Sequence, residues 1–230
     1  MAFAQLTYRE SLRDVEACLE SQANLLYAMG IRGAVTRTNI AYANENRSWE
    51  VYFELAQVLI RKARKLHSKD RYLKEIDEIV YAIDASTIDL RMNLFPWALF
   101  RKRKSAVKLH AMIDLNGSIP AFIAITQGKV HDVNALDWIV FEAEAFYVLD
   151  LGYVDFMRLS RIHSARAFFV TRAKVNMSYD VRVSRAVDKA VGLRSDQTVR
   201  LNGMKTKTFF PHDLRRVSFW DTESGSFWSS

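Results

Sequence analysis

Two aspartates stand within or at the end of apolar runs that are typical of buried strands. Asp84 lies inside "IVYAIDASTIDL" (79–90), and Asp150 ends "FYVLD" (146–150). A carboxylate buried in an apolar strand costs free energy unless something compensates it. Two neighbouring carboxylates also repel, so one takes up a proton unless a cation intervenes. Because Mg²⁺ and Mn²⁺ prefer carboxylate oxygens, the pair predicts a divalent-metal site suited to two-metal phosphoryl transfer.

A simpler interpretation stays open from the residues alone: Asp84 caps a turn, and Asp150 supplies the N-terminal charge of the next helix. The surrounding elements favour the metal site. Five short runs are rich in β-branched and aromatic residues, as strands are. They occupy residues 79–90, 106–117, 119–128, 145–153 and 165–174.

Helical spacing on both sides of the fourth run, over 131–140 and 153–165, completes the order β-β-β-α-β-α-β. The turn signal "DLNGSIP" predicts a hairpin of the second and third strands. This order predicts an α/β fold with a ribonuclease-H-like mixed sheet over 76–175, in which the first and fourth strands are parallel central neighbours. Ligands of open α/β sheets collect at the carboxyl ends of such strands. Since strands lie about 4.8 Å apart, Asp84 and Asp150 are expected to face each other closely.

The flanking segments differ from this core. Residues 1–75 have helical spacing, with a capping-box pattern at Thr7 and Glu10 and a second helix over 47–68. The apolar stripe of that helix comprises Trp49, Tyr52, Phe53, Ala56, Leu59, Ile60 and Ala63. Its basic tail complements the negative helix end, with DNA contact as the alternative. Residues 176–230 have the polar alternation of a partial β-rich segment.

The charge is unevenly distributed along the chain. The net charge is +7, and residues 151–230 hold 14 Lys and Arg against 7 Asp and Glu. A basic half suggests a polyanionic partner such as nucleic acid. No apolar run approaches the roughly 18 residues that span a bilayer, the start lacks a signal-peptide pattern, and Cys18 is the single cysteine. A cytoplasmic protein without a membrane partner is therefore expected.

Five motifs, "YAIDAST", "FPWALFRKRKSAVKLH", "GKVHDVN", "FYVLDLGYVDF" and "FFVTRAK", resemble the insertion-sequence-4-type DDE transposases of bacterial mobile elements. The N-terminal "LTYRESLRDVEACL" resembles the helical DNA-binding region that one subgroup attaches to this core. The resemblance implies that Asp84 and Asp150 are the first two acids of the catalytic triad, with Mg²⁺ or Mn²⁺ as cofactor. It implies as partners the element's terminal repeats, target DNA and a second copy of the chain in a synaptic complex, with the protein on the bacterial nucleoid when bound.

Two departures from the family pattern stand out. Leu151 follows Asp150 where the family usually has Arg, so a bidentate phosphate contact is missing there. The third acid belongs on a later helix, within a pattern of Tyr, Arg, Glu and Lys that this sequence lacks. Glu223 is the one glutamate after Asp150, and its turn-like surroundings do not match. We therefore expect a transposase polypeptide truncated at both ends.

A basic stretch follows the first strand. Between Leu90 and Ile113 there is no acidic residue, and Lys and Arg neutralise phosphates without reading sequence. The predicted DNA contacts are Arg101, Lys102, Arg103, Lys104 and Lys108. Trp97 either stacks on an unpaired base or packs in the core.

His131 and Asp132 form a weak metal-site signal. Asp132 suits the N-cap of the following helix, and His131 is predicted to orient a water or phosphate near the site. Three functions stay in competition: a metal-dependent DDE transposase, an inactive DNA-binding remnant of one, and a ribonuclease-H-like nuclease with another substrate, since fold alone does not settle function.

Overall fold

The computed structural model describes residues 7–67, 76–91, 98–101, 104–221 and 226–229. Of residues 99–101, 104, 226 and 227 it describes the backbone alone. The chain divides into two compact units, Met1–Leu59 and Ile60–Ser230. Within the described ranges, none of the helices combines the length and apolarity that crossing a bilayer requires.

Among its described residues, the first unit contains the short helices α1 (Leu12–Ser21), α2 (Ala23–Leu26) and α3 (Arg37–Asn46). The capping box that begins α1 is formed by Ser11 and Asp14, which exchange side-chain to backbone hydrogen bonds of 3.2 and 3.1 Å. The prediction of a box at Thr7 and Glu10 is therefore wrong by one turn, because the Ser-x-x-Asp pattern supplies the same two bonds. A small apolar cluster, Val15, Leu19, Leu26, Val35 and Ile40, holds these helices together.

A longer helix, α4 (Glu50–Leu66), begins in the first unit and continues into the second. Its bounds agree with the predicted helix over 47–68 to within three residues. None of its residues is buried. Of the predicted apolar stripe, Ala56, Ile60 and Ala63 are half-buried, whereas Trp49, Tyr52, Phe53 and Leu59 are exposed.

The second unit contains a six-stranded mixed sheet. Its strands are β1 (Val80–Leu90), β2 (Leu99–Arg101), β3 (Lys104–Asp114), β4 (Ile119–Gln127), β5 (Phe146–Leu149) and β6 (Phe168–Thr171). The path runs β2-β3-β1-β5-β6, and β4 also pairs with β3. β3 is antiparallel to β1, β2 and β4, whereas β1, β5 and β6 are mutually parallel neighbours. Each of the five predicted runs contains a strand; the short β2 is an addition that the sequence did not predict.

The core lies on one face of this sheet. Tyr81 and Ile83 of β1 and Tyr147 and Leu149 of β5 are buried. They pack in one cluster with Leu159 and Ile162, Ala135 and Leu136, and Leu201 and Phe210. Leu159 and Ile162 lie on α5 (Phe156–Ser164), whose N-cap is Asp155. Side chains alternate along a strand, so the residues of β1 and β5 that lie between these buried ones point to the opposite face of the sheet.

The helix predicted over 131–140 is a short 3₁₀ helix, Asp132–Asp137. His131, not Asp132, is the residue that precedes it, and His131 makes no side-chain capping bond. The N-cap prediction for Asp132 is therefore wrong. A second 3₁₀ helix, Leu151–Tyr153, follows β5 directly.

The final segment forms a separate antiparallel sheet. Its strands are β7 (Tyr179–Arg185), β8 (Leu193–Leu201), β9 (Asp213–Asp221) and β10 (Ser226–Ser229), with the short helix α6 (Met204–Phe209) between β8 and β9. The spatial order is β10-β9-β8-β7, which places strands where the β-rich segment was predicted. Asp196 ties three strands together because it accepts from Arg185 at 3.2 Å and from Arg215 at 2.9 Å.

Candidate active site

Asp84 and Asp150 occupy equivalent positions on neighbouring parallel strands. The β1–β5 ladder ends at the pair Ile83 and Leu149, and the two aspartates directly follow that pair. Asp84 lies within β1, and Asp150 lies between β5 and the 3₁₀ helix Leu151–Tyr153. Both aspartates are exposed. Since Ile83 and Leu149 point into the core, strand alternation aims both carboxylates to the opposite side of the sheet, about one strand spacing of 4.8 Å apart at the backbone.

The structure corrects the premise that Asp84 is buried. Its side chain is exposed, so it carries little of the desolvation cost that burial would impose. One carboxylate oxygen accepts the backbone N–H of Ala85 at 2.8 Å. An exposed carboxylate within β1 therefore needs no metal for its stability, and its position has to be explained by what it can bind.

Asp150 is held by an arginine from the next strand. Arg172 Nη2 donates to Asp150 Oδ1 at 2.6 Å, and this guanidinium, with the Leu151 and Gly152 amides beside it, lowers the pKa of the Asp150 carboxyl below its usual range. Arg172 also lies over the Trp228 ring, 5.5 Å from its centroid. Asp150 is thus ionised at neutral pH with a cationic group already beside it.

Arg172 was not predicted as a site residue. β5 pairs with β6 in parallel up to Leu149 and Thr171, so Asp150 and Arg172 are the next residues on adjacent strands. The available sequence signal was a basic residue, Arg172, just after the apolar part of the fifth run, as Asp150 directly follows the apolar part of the fourth. A guanidinium therefore lies beside Asp150 although Leu151 occupies the position where the resemblance expects one.

Tyr153 lies beneath this part of the sheet and is 2% exposed. Its hydroxyl has no hydrogen-bond partner within the described residues. Burial raises the pKa of the Tyr153 hydroxyl, and the negative charges of Asp132, Asp84 and Asp150 raise it further. The hydroxyl is therefore neutral, and three carboxylates lie close enough to act on it.

Lys108 is engaged within the protein. Its Nζ donates to Asp132 Oδ1 at 2.7 Å and to the Val130 carbonyl at 2.9 Å, and its side chain is only 14% exposed. This differs from the prediction that Lys108 binds a DNA phosphate, because its ammonium group is already paired with Asp132 and its side chain is mostly covered. His131, the neighbour of Asp132, has an exposed side chain.

The other predicted DNA contacts are described only in part. The backbones of Arg101 and Lys104 pair across β2 and β3. Trp97, Lys102 and Arg103 lie outside the described residues, as does Glu223. Within the described ranges, no three His, Cys, Asp or Glu side chains are grouped so that they could hold one metal ion. The described part of the site therefore offers two neighbouring carboxylates, Asp84 and Asp150, with Asp132 committed to Lys108.

Comparison with protein families places this chain within a known class. The family described as "Transposase DDE domain" matches residues 75–218, which include every strand from β1 to β8. The chain belongs to this transposase family. A second family, described as a domain of unknown function (DUF4372), matches residues 1–32.

Two relatives carry names that agree with this family. "Putative transposase y4zB" of Sinorhizobium fredii is 32% identical over 183 residues, which are 78% of this chain and 49% of that protein. "Probable transposase for insertion sequence element IS5377" of Geobacillus stearothermophilus is 28% identical over 141 residues, 60% of this chain and 37% of that protein. The chain thus spans about half or less of the length of the curated relatives it matches.

Proposed function

We propose that this chain supplies the first two acidic metal ligands, Asp84 and Asp150, of an insertion-sequence transposase that cuts and joins DNA. The observation that carries the proposal is their equivalent position on two parallel strands, exposed on the side of the sheet away from the core. Carboxylate oxygens are the ligands that Mg²⁺ and Mn²⁺ prefer. When bound, such ions would activate the attacking water or 3′-hydroxyl and stabilise the leaving oxygen.

The strand arrangement supports a ribonuclease-H-like assignment for the sheet. Apart from the short β2, neighbours run β4-β3-β1-β5-β6. Asp150 and Arg172 directly follow the carboxyl ends of β5 and β6, and Asp84 lies beside them where the β1–β5 ladder ends. Ligands of open α/β sheets bind at such ends. In this arrangement Asp84 and Asp150 hold the cation, and the charge of Arg172 keeps Asp150 ionised.

The proposed nucleic-acid contacts are the basic residues between β1 and β3, Arg101, Lys102, Arg103 and Lys104, with Trp97 stacking on a base and His131 near the phosphate. The exposure of the His131 side chain supports its proposed contact with a phosphate. Lys108 is left out because of its bond to Asp132. Binding to element ends would place the chain on the bacterial nucleoid, with two copies in one complex.

A metal titration tests the carboxylate pair. Mn²⁺ binding is measured by the loss of its electron-paramagnetic-resonance signal in the wild type, Asp84→Asn and Asp150→Asn. Asp89→Asn is the matched control. Asp89 is exposed on the same strand, but it lies beyond the part of β1 that pairs with β5, opposite Ala106 of β3. We expect each site variant to weaken binding about tenfold or more and the control to leave it unchanged. Equal binding in all four proteins contradicts the proposal.

Substrate comparison separates the remaining functions. Cleavage and strand joining are measured on element-end duplex, unrelated duplex and RNA–DNA hybrid, with Mg²⁺ and with Mn²⁺. Joining of element ends supports the transposase; cleavage of the hybrid alone supports another nuclease. Metal and DNA binding without any cleavage supports the inactive remnant.

A further inference from the structure

The α4 helix exposes an extended apolar surface. Its exposed apolar side chains are Val51, Tyr52, Phe53, Leu55, Val58, Leu59 and Leu66, and Trp49, which lies edge-on to Phe53 at 5.9 Å, directly precedes them. A helix with apolar residues around most of its circumference is stable when another surface covers it, and apolar patches of this kind mark interaction sites.

The charges on α4 are separated along its length. Glu50 and Glu54 are its acidic residues and lie in the first half, whereas Arg61, Lys62, Arg64 and Lys65 lie in the second. The helix dipole accounts for charges in the terminal turns, such as Glu50 and Lys65, but its effect fades within one turn. Glu54 and Arg61 lie further inside and need another explanation.

Four of these charges share one side of the helix. At 100° per residue, Glu50, Glu54, Arg61 and Lys65 fall on a single narrow sector beside the ridge of Val51, Leu55 and Val58. The two acids are four residues apart, and so are the two bases. This equal spacing is what an antiparallel partner of the same sequence requires.

We propose that α4 pairs antiparallel with α4 of a second copy of this chain. Glu54 then lies across from Arg61 of the partner subunit, with Val58 near the twofold axis. Twofold symmetry makes each contact twice. A parallel pair would place like charges together, so the charge pattern selects the antiparallel arrangement. The proposal deepens the expected pairing of two copies and does not depend on metal or DNA binding.

Charge reversal tests the pairing. The dimer dissociation constant is measured by analytical ultracentrifugation, without DNA or metal, for the wild type, Glu54→Arg, Arg61→Glu and the double variant. We expect each single reversal to weaken the dimer about tenfold, because two attractive contacts become repulsive, and the double reversal to restore it. Glu20→Arg, an exposed change of the same kind on α1, is the matched control and should leave the constant unchanged.

Val58→Asp provides a second measurement, since it places two charges near the axis and should abolish the dimer while helicity by circular dichroism is kept. A wild type that stays monomeric at all concentrations overturns the proposal, as does a dimer that neither single reversal weakens. Either result leaves the Mn²⁺ titration unaffected, so a failed dimer and a failed metal site are distinguishable.

Discussion

Arg172 donates to Asp150 across 2.6 Å, and both residues directly follow the last paired positions of two parallel strands, β5 and β6. The arginine therefore lies on the β6 side of Asp150, whereas Asp84 lies on the β1 side. Its positive charge weakens the attraction of Asp150 for a second cation. Asp84 has no such ion pair among the described residues, so the charges of the two aspartates are compensated unequally.

This relationship predicts that Arg172→Ala raises the affinity for Mn²⁺. The pair is about half exposed on both sides, and exposed ion pairs contribute about 1 kcal/mol at most, so the gain is about fivefold at most. Arg182→Ala, on an exposed strand position of the second sheet, should have no effect. If Arg172→Ala leaves the affinity for Mn²⁺ unchanged while Asp150→Asn lowers it, the Arg172 guanidinium and Mn²⁺ do not compete for Asp150.

The same substitution should shift the acid limit of metal binding. Arg172 depresses the pKa of Asp150 in the folded protein, so the ionised carboxylate persists as the pH falls through the ordinary Asp value of about 3.9. In Arg172→Ala the carboxylate protonates at higher pH, and Mn²⁺ release on acidification moves upward. A titration monitored at Asp150 by nuclear magnetic resonance measures the shift directly.

Tyr153→Phe should leave the fold as stable as the wild type, or up to about 1 kcal/mol more stable. The buried Tyr153 hydroxyl has no hydrogen-bond partner in the described part of the chain, and a buried polar group without a partner is costly. Tyr147→Phe is the matched control. Its equally buried hydroxyl accepts the Glu142 N–H at 2.8 Å, so its loss should cost about 1–2 kcal/mol. Urea denaturation measures both. A large loss in Tyr153→Phe would reveal a partner for that hydroxyl.

The sequence predicted the strands well because each is a short apolar run bounded by turn residues. The hairpin of β3 and β4 follows from "DLNGSIP", and the parallel pairing of β1 with β5 follows from the order β-β-β-α-β-α-β. These features are local in the chain. They are enough to predict that Asp84 and Asp150 lie close together on neighbouring strands.

What the sequence missed depends on contacts between distant segments. The exposure of Asp84 depends on the side of the sheet to which its side chain points, which an apolar run cannot show. The bond from Lys108 to Asp132 joins residues 24 positions apart, and Arg172 reaches Asp150 only through the β5–β6 register. Each depends on tertiary geometry, whereas residue type and spacing are properties of short segments.

His110 should make the protein sensitive to mild acid. It is fully buried, with one ring nitrogen 2.9 Å from Thr126 Oγ1 and the other without a partner among the described residues. Burial lowers the pKa of His110, partly opposed by Asp132 and reinforced by Lys108. Because the folded value lies below the unfolded one of about 6.5, the unfolded chain binds more protons in this window. Stability therefore falls as the pH drops below about 6.5.

The measurement is the free energy of unfolding in urea at pH 7.5 and at pH 5. His110→Gln will differ in absolute stability, so the informative quantity is the difference between the two pH values, which should shrink relative to the wild type. His131→Gln, at an exposed histidine, should keep the wild-type difference. An unchanged difference in His110→Gln would assign the acid sensitivity to other groups.

The basic residues that join β2 to β3 should bind DNA without reading its sequence. Arg101 and Lys104 pair across the two strands, and phosphate contacts of lysine or arginine each contribute about 0.9 to the slope of log affinity against log salt. Lys102→Ala with Lys104→Ala should therefore reduce that slope by about 2, equally for element-end and unrelated duplex. Lys205→Ala with Lys207→Ala removes the same charge from α6 and should leave the slope unchanged. Fluorescence anisotropy across salt concentrations decides, and equal slopes for both double variants would place the DNA on another surface.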